Sequence, residues 1–303
     1  MAKESKGQKH HYIPVFYLKQ WMGPKKTVCE FSRPYDRVRT RSPHPDGTGY
    51  VRGLYAIDDL DPNVVNAIED MFLKPSDGMA AEALQSLLQE VPLTHPLRMR
   101  HAWTRFLLSL LIRYPEAIAE MKKRLRENVE QIYLKTRQPD EPETFAEYEA
   151  KLGTNELARV HGKLMMDLML DSKMGRLIFG MHWGVVAFTN HRHELLTSDR
   201  PVVSNQFPIS ANHICLPISP TMLFVACATE QAEKEFRALD AGHVMKLMND
   251  FVASRARTYV WGRDASQLRF VENRLGKTGS PEAYGIDRQR MGRFRETAKS
   301  IGS

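Results

Sequence analysis

The sequence predicts an α+β fold, mainly helical, with a small, mostly antiparallel β-sheet built from both the N-terminal and the C-terminal halves. Apolar residues recur at helical spacing through the middle of the chain, from about residue 61 to 180. Short apolar or β-branched runs separated by Pro, Gly, Asp and Asn occupy 27–57 and 183–227, the texture of short strands and turns. With 303 residues, 42% of them hydrophobic, the chain can bury a substantial core.

From the N-terminus, residues 10–21 (HHYIPVFYLKQW) form a dense aromatic segment, and Pro14 disfavours a regular helix at its start. Residues 27–32, 37–41 and 50–57 are expected as strands. Asp61-Pro62 resembles an N-cap followed by proline at the first helical position, with Val65, Ile68, Phe72 and Leu73 as the apolar stripe. Helices are then expected over 77–90 and from after Thr94. In the latter, Trp103, Phe106, Leu107, Leu110 and Leu111 follow i, i+3, i+4, i+7, i+8 spacing. Pro115 should kink or restart it, and the helix should run on to about Lys135. Residues 138–146 are expected as a loop and 155–180 as a helix. Strands are expected at 183–188, 194–197, 214–218, 222–227 and 259–261, and helices at 232–237 and 242–257. Residues 1–262 then form one domain. Residues 263–303 form a basic, weakly patterned tail that adds little to the core.

Charge is unevenly placed. Residues 1–41 carry ten Lys/Arg against three Asp/Glu, and residues 263–303 nine against five, so both ends are basic (+7 and +4) while the middle carries −4, for a net +7. Such ends attract phosphate, or are simply solvated. No run approaches the roughly 18 apolar residues of a membrane helix. The longest candidate, 106–112, is bracketed by Arg105 and Arg113. The basic opening lacks the apolar stretch of a secretory signal. Cys29, Cys215 and Cys227 form no C-x-x-C pair. These features point to a cytoplasmic protein with no membrane partner.

Among residues that could carry chemistry, His10 and His11 come first. Neutral imidazoles suit transition metals or act as bases near neutral pH, though neighbours in a strand face opposite ways. Ser198 and Asp199 sit in Thr197-Ser198-Asp199-Arg200-Pro201 at the end of an expected strand, where Asp199 could bind a metal or shape an Asx-type turn. Glu69 and Asp77 supply carboxylates. Arg105 and Arg113, eight residues apart on one helix, could grip phosphate or join an ion-pair lattice. The methionines from 165 to 181 read as core filling. Asn190-His191-Arg192-His193 and the Asn205/His213 pair only superficially match HNH nucleases. The P-loop, H-E-x-x-H, G-x-S-x-G and G-x-G-x-x-G signatures are absent.

The opening His10-His11-Tyr12-Ile13-Pro14, with Phe16-Tyr17-Leu18 and Trp21, resembles the signature of the bacterial family called domain of unknown function 4238. Ile68-Glu69, Arg113-Tyr114-Pro115, 197–202 (TSDRPV), 216–220 (LPISP) and Asn249 before Ala253-Ser254-Arg255 match further segments in order. Tyr114 departs from the family's Arg-[ST]-Pro pattern, and Asp77 stands where a second Glu is common. The resemblance spans about 8–262 and implies one unit, without an activity. The residue types suggest a metal-dependent phosphodiester hydrolase, nuclease-like, in a defence or toxin setting. His10, His11 and Asp199 would bind a divalent metal, Ser198 and Glu69 would assist, and Arg105, Arg113, Tyr12 and Tyr17 would bind substrate. The competing expectation is a non-catalytic module that binds nucleic acid or protein.

Overall fold

Every β-strand pairing is antiparallel among the residues that this computed structural model describes: 9–54, 74–89, 97–138, 144–152, 173–189 and 193–276. In chain order, the first half contributes β1 (Lys9–His11), α1 (Val15–Leu18), β2 (Cys29–Ser32), β3 (Arg39–Arg41) and β4 (Tyr50–Arg52). The helical middle follows: α2 (Lys74–Leu88), α3 (Leu97–Ile112), α4 (Pro115–Thr136), α5 (Phe145–Leu152) and α6 (Lys173–Gly180). The second half holds β5 (His182–Ala187), β6 (Thr197–Ser198), β7 (Val203–Ser204), β8 (His213–Ser219), β9 (Met222–Cys227), α7 (Glu230–Arg237), α8 (Ala241–Arg255), β10 (Tyr259–Gly262) and α9 (Leu268–Glu272). No described helix is long and apolar enough to cross a membrane.

The sheets explain how the two halves meet. β1 and β4 make a two-stranded ribbon. A second sheet has the order β3-β2-β10-β6, so N-terminal strands flank β10 from the far end of the sequence. The third, β5-β9-β8-β7, is a wall between two cores. Ile214, Leu216 and Ile218 of β8 and Phe224 and Ala226 of β9 face the first core, while Cys215, Leu223, Val225 and Cys227 face the second. Burial of both faces is why these strands read as unbroken apolar runs rather than alternating ones.

The first core is filled by the helices and the aromatic opening. Trp103, Phe106, Leu107 and Leu110 are all buried, as the helical spacing of α3 predicts. Pro115 ends α3 and starts α4 at the first helical position, where its missing N–H costs nothing. The second core packs α7, α8 and α9 against the wall. Thr229 caps α7 through the Ala232 amide at 3.1 Å, and Asp240 caps α8 through the His243 amide at 2.7 Å.

Three expectations change. The strand foreseen at 194–197 is only Thr197–Ser198, because amide side chains rather than a neighbouring strand hold the backbone of Glu194 and Leu196. The loop foreseen at 138–146 gives way to α5 from Phe145. Residues 264–275 do add to the core: Val271 and Leu275 are buried, and the Arg33 guanidinium donates to the carbonyls of Glu272 and Leu275. The helix foreseen from Asp61, and most of that foreseen at 155–180, lie outside the described residues.

Candidate anion-binding site

The opening segment divides between two tasks. Strand alternation sends His10 inward, where it is 1% exposed, and His11 outward. The His11 Nε2–H donates to the Asp46 carbonyl at 3.3 Å, and its ring lies 5.5 Å from that of Tyr50. Partial burial lowers the pKa of His11; the Asp46 carbonyl opposes this, and the Lys9 and Arg113 charges add to it. Tyr17 and Trp21 are structural pins. The Tyr17 hydroxyl donates to the Pro217 carbonyl at 2.7 Å and sits 2.8 Å from Thr197 Oγ1. The Trp21 indole N–H donates to the Leu195 carbonyl at 2.8 Å. Tyr17 is therefore a core residue, not a substrate contact.

On its outer face the ribbon carries a different chemistry. Lys9 is paired with Arg52 and His11 with Tyr50, so all four share one face. The Lys9 ammonium lies 4.6 Å from the Tyr50 ring centroid and the Arg52 guanidinium 6.0 Å from it. Arg41 and Tyr259 are near enough to Tyr50 for their charges to act on one another. Tyr259 acts in the same way on Tyr12, which is buried.

Tyr12 also lines a slot of about 20 Å³, together with Tyr114, Pro115, Glu116, Asp199, Arg200, Arg257 and Thr258. Three segments singled out from the sequence meet here: the opening motif, Arg113-Tyr114-Pro115, and 197–202. Asp199 is fully occupied. Its Oδ1 accepts the Arg257 amide at 2.9 Å, and its Oδ2 accepts those of Thr258 at 2.6 Å and Tyr259 at 3.0 Å. Burial pushes its pKa up to about 6 against those three hydrogen bonds. Ser198 Oγ accepts the Arg200 amide at 3.1 Å and shapes the turn. Both side chains thus hold backbone amides.

Arg200 is the reverse case. It is 8% exposed, its guanidinium lies 4.6 Å from the Tyr114 ring centroid, and its Nε and Nη1 have no hydrogen-bond partner among the described residues. Its Nη2 is 3.7 Å from Glu116 Oε2, and Arg257 Nε is 3.5 Å from Glu116 Oε1. Glu116 stands in the first turn of α4, where no side chain caps the free amides. Arg113 is buried beside this corner at 1% exposure and bonds Asp77 through Nη1 at 3.2 and 3.3 Å. Burial raises the pKa of Asp77, with Arg113 opposing. Arg113 is thus ion-paired through Nη1 alone, its Nε and Nη2 having no hydrogen-bond partner among the described residues, while Arg105 is half-buried along α3.

The expected metal set does not assemble. Among the described residues, no group of three or more His, Cys, Asp or Glu is placed to hold a metal ion. His10 and His11 leave their strand on opposite faces, and the Asp199 oxygens are spent on the backbone. Glu69 and 190–192 lie outside the described residues. Asn205 and His213 tie a loop: Asn205 Oδ1 accepts the His213 amide at 2.8 Å, and His213 Nε2 accepts the Phe207 amide at 3.0 Å. Sequence reasoning passed over Arg200, Glu116, Arg257 and Tyr50. Their only early signal was the placing of Arg200 inside an already selected motif.

No curated protein and no solved structure matches the chain. The family described as "Protein of unknown function (DUF4238)" matches residues 9–266. That match covers the ribbon, the slot and both cores apart from α9 and Leu275, and the chain belongs to this family.

Proposed function

We propose that the protein is a nucleic-acid-binding module that holds a phosphodiester strand on the outer face of the β1–β4 ribbon. The single observation carrying this is the grouping of Lys9, His11, Tyr50 and Arg52 on one outer face, Arg52 exposed and the others half-buried, with Arg41, ion-paired to Glu30, beside it. Cations track a phosphate backbone, and an aromatic face stacks bases without needing a fixed sequence. The basic N-terminal stretch adds charge at the same end of the chain.

Metal-dependent hydrolysis of that strand is the second reading, and one observation favours it. His11, on this face, is biased toward the neutral form, and its Nε2 proton is committed to the Asp46 carbonyl, which leaves the Nδ1 lone pair for a proton or a metal.

The test is fluorescence anisotropy with labelled single-stranded oligonucleotides across a salt series. Binding should weaken linearly in log salt, and a combined Lys9→Ala and Arg52→Ala variant should flatten the slope by about 0.7 per lost cation. An unchanged slope would defeat the binding reading. Product formation that requires divalent metal and disappears in His11→Ala would promote the hydrolase.

A further inference from the structure

We propose that the slot around Arg200 receives the phosphoryl group of a phosphate monoester, and that Glu116 is the intramolecular stand-in which that group displaces. Two independent observations converge on the slot. Arg200 brings a nine-tenths-buried cation whose Nε and Nη1 donors find no partner among the described residues. A buried cation with idle donors is expensive, and in native structures such a group marks a ligand. The second is the start of α4, a 22-residue helix whose first residues, Pro115 and Glu116, line the slot and whose N-cap Tyr114 makes no side-chain cap hydrogen bond. An uncapped helix N-terminus favours an anion.

Glu116 already answers both demands, but poorly. Its two oxygens stand 3.7 Å from Arg200 and 3.5 Å from Arg257, longer than good charge-assisted hydrogen bonds. Its side chain is 41% exposed, so it can swing out without unpacking the core. The slot is about the size of one water molecule. One oxygen of a phosphoryl group can enter, while the others remain at the mouth between Arg200 and Arg257, whose side chain is 50% exposed. A tetrahedral dianion offers more acceptors than a carboxylate to two arginines and a helix terminus together. Asp199 does not compete for these donors, because its oxygens are held by three amides. The phosphate is either free or the end of a nucleic-acid strand reaching the slot past Tyr259. Only the second source rests on the binding reading above.

The experiment titrates inorganic phosphate, then 5′-phosphorylated and 5′-hydroxyl oligonucleotides, into the full chain and into Glu116→Gln, Arg200→Lys and Arg200→Gln. Glu116→Gln should bind phosphate roughly tenfold tighter than wild type, since a competing charge is gone. Both Arg200 variants should lose that binding while keeping a cooperative thermal transition. A preference for the 5′-phosphorylated strand that disappears with Arg200 identifies the strand end as the source. Phosphate binding without any oligonucleotide binding keeps the slot and removes the nucleic-acid reading. Equal binding of the two strands, with no phosphate binding even by Glu116→Gln, overturns the slot and leaves the ribbon reading intact. Phosphate binding indifferent to both Arg200 and Glu116 also overturns it. Glu116 is a partly exposed surface residue, so its variant remains informative if the Arg200 variants fail to fold.

Discussion

Two polar knots hold the ends of one short segment, and they differ in how fully their hydrogen bonds are spent. At Glu194–Leu196, Asn249 uses everything it has. Its Oδ1 accepts the Leu196 amide at 2.8 Å, and its Nδ2 donates to the Glu194 carbonyl at 2.8 Å and to Gln267 Oε1 at 3.2 Å. Gln267 Nε2 returns to the same carbonyl at 2.9 Å. Four residues further on, Arg200 is equally inside the protein yet leaves Nε and Nη1 idle. A saturated buried group is part of the scaffold; an unsaturated one calls for a partner, and Arg200 differs from Arg113, whose Nε and Nη2 are also idle among the described residues, in lining an open slot. Asp199, next to Arg200, belongs with the scaffold despite being the more obvious catalytic candidate.

Substitutions at the two knots should therefore behave oppositely. Asn249→Ala strands the Leu196 amide and opens a hole, and should cost about 2–5 kcal/mol in chemical denaturation. Leu110→Ala, in the apolar core of α3, should fall in the same range of about 2–5 kcal/mol and calibrates the scale. A loss at Asn249 within about 0.5 kcal/mol would erase the distinction between the knots.

Asp199 supplies a pH test of intermediate size. Its folded pKa is raised from 3.8 to about 6, so the folded state holds its proton more tightly than the unfolded chain does. Its contribution to stability is therefore largest at low pH and declines as pH rises from about 4 to 6. Wild type should lose stability over that window relative to Asp199→Asn by about 2–3 kcal/mol. Parallel stability curves for the two proteins would show that the carboxylate does not titrate there.

The smallest effect is expected at the unsaturated knot. Arg200→Met removes a buried cation with idle donors and keeps much of its volume, so stability should move by less than about 1 kcal/mol in either direction. A loss of about 3 kcal/mol or more would place Arg200 in the scaffold with Asn249 and remove the reason to look for a ligand.

Much of the fold was legible because it follows from periodicity. The stripe of α3, the proline restart at Pro115 and the paired runs of β8 and β9 all announce themselves by spacing. The strand misplaced at 194–197 shows the limit. Leu195 and Leu196 are an apolar pair like any in a strand, but their partners are the Pro220 carbonyl and the Trp21 indole for Leu195 and the Asn249 side chain for Leu196, which no local pattern reveals. The core contribution after 264 was a legible signal overlooked: Leu268, Val271 and Leu275 repeat at i, i+3 and i+7. The site was less readable. Residue type marks His10, His11, Ser198 and Asp199 as reactive, but only tertiary contacts distinguish a carboxylate committed to three amides from an arginine with donors to spare.

The wall of β8 and β9 carries a consequence for folding kinetics. β9 is hydrogen-bonded to a strand on each side and covered by a different core on each face. Neither core can open without stripping one side of it, so the helical layer and the C-terminal layer should melt in one cooperative step despite being separate apolar clusters. Amides of Leu223, Phe224 and Val225 should exchange with solvent deuterium only through global unfolding. Because β2 must also wait for β10, more than 200 residues later, the chain should fold slowly for a protein so rich in helix.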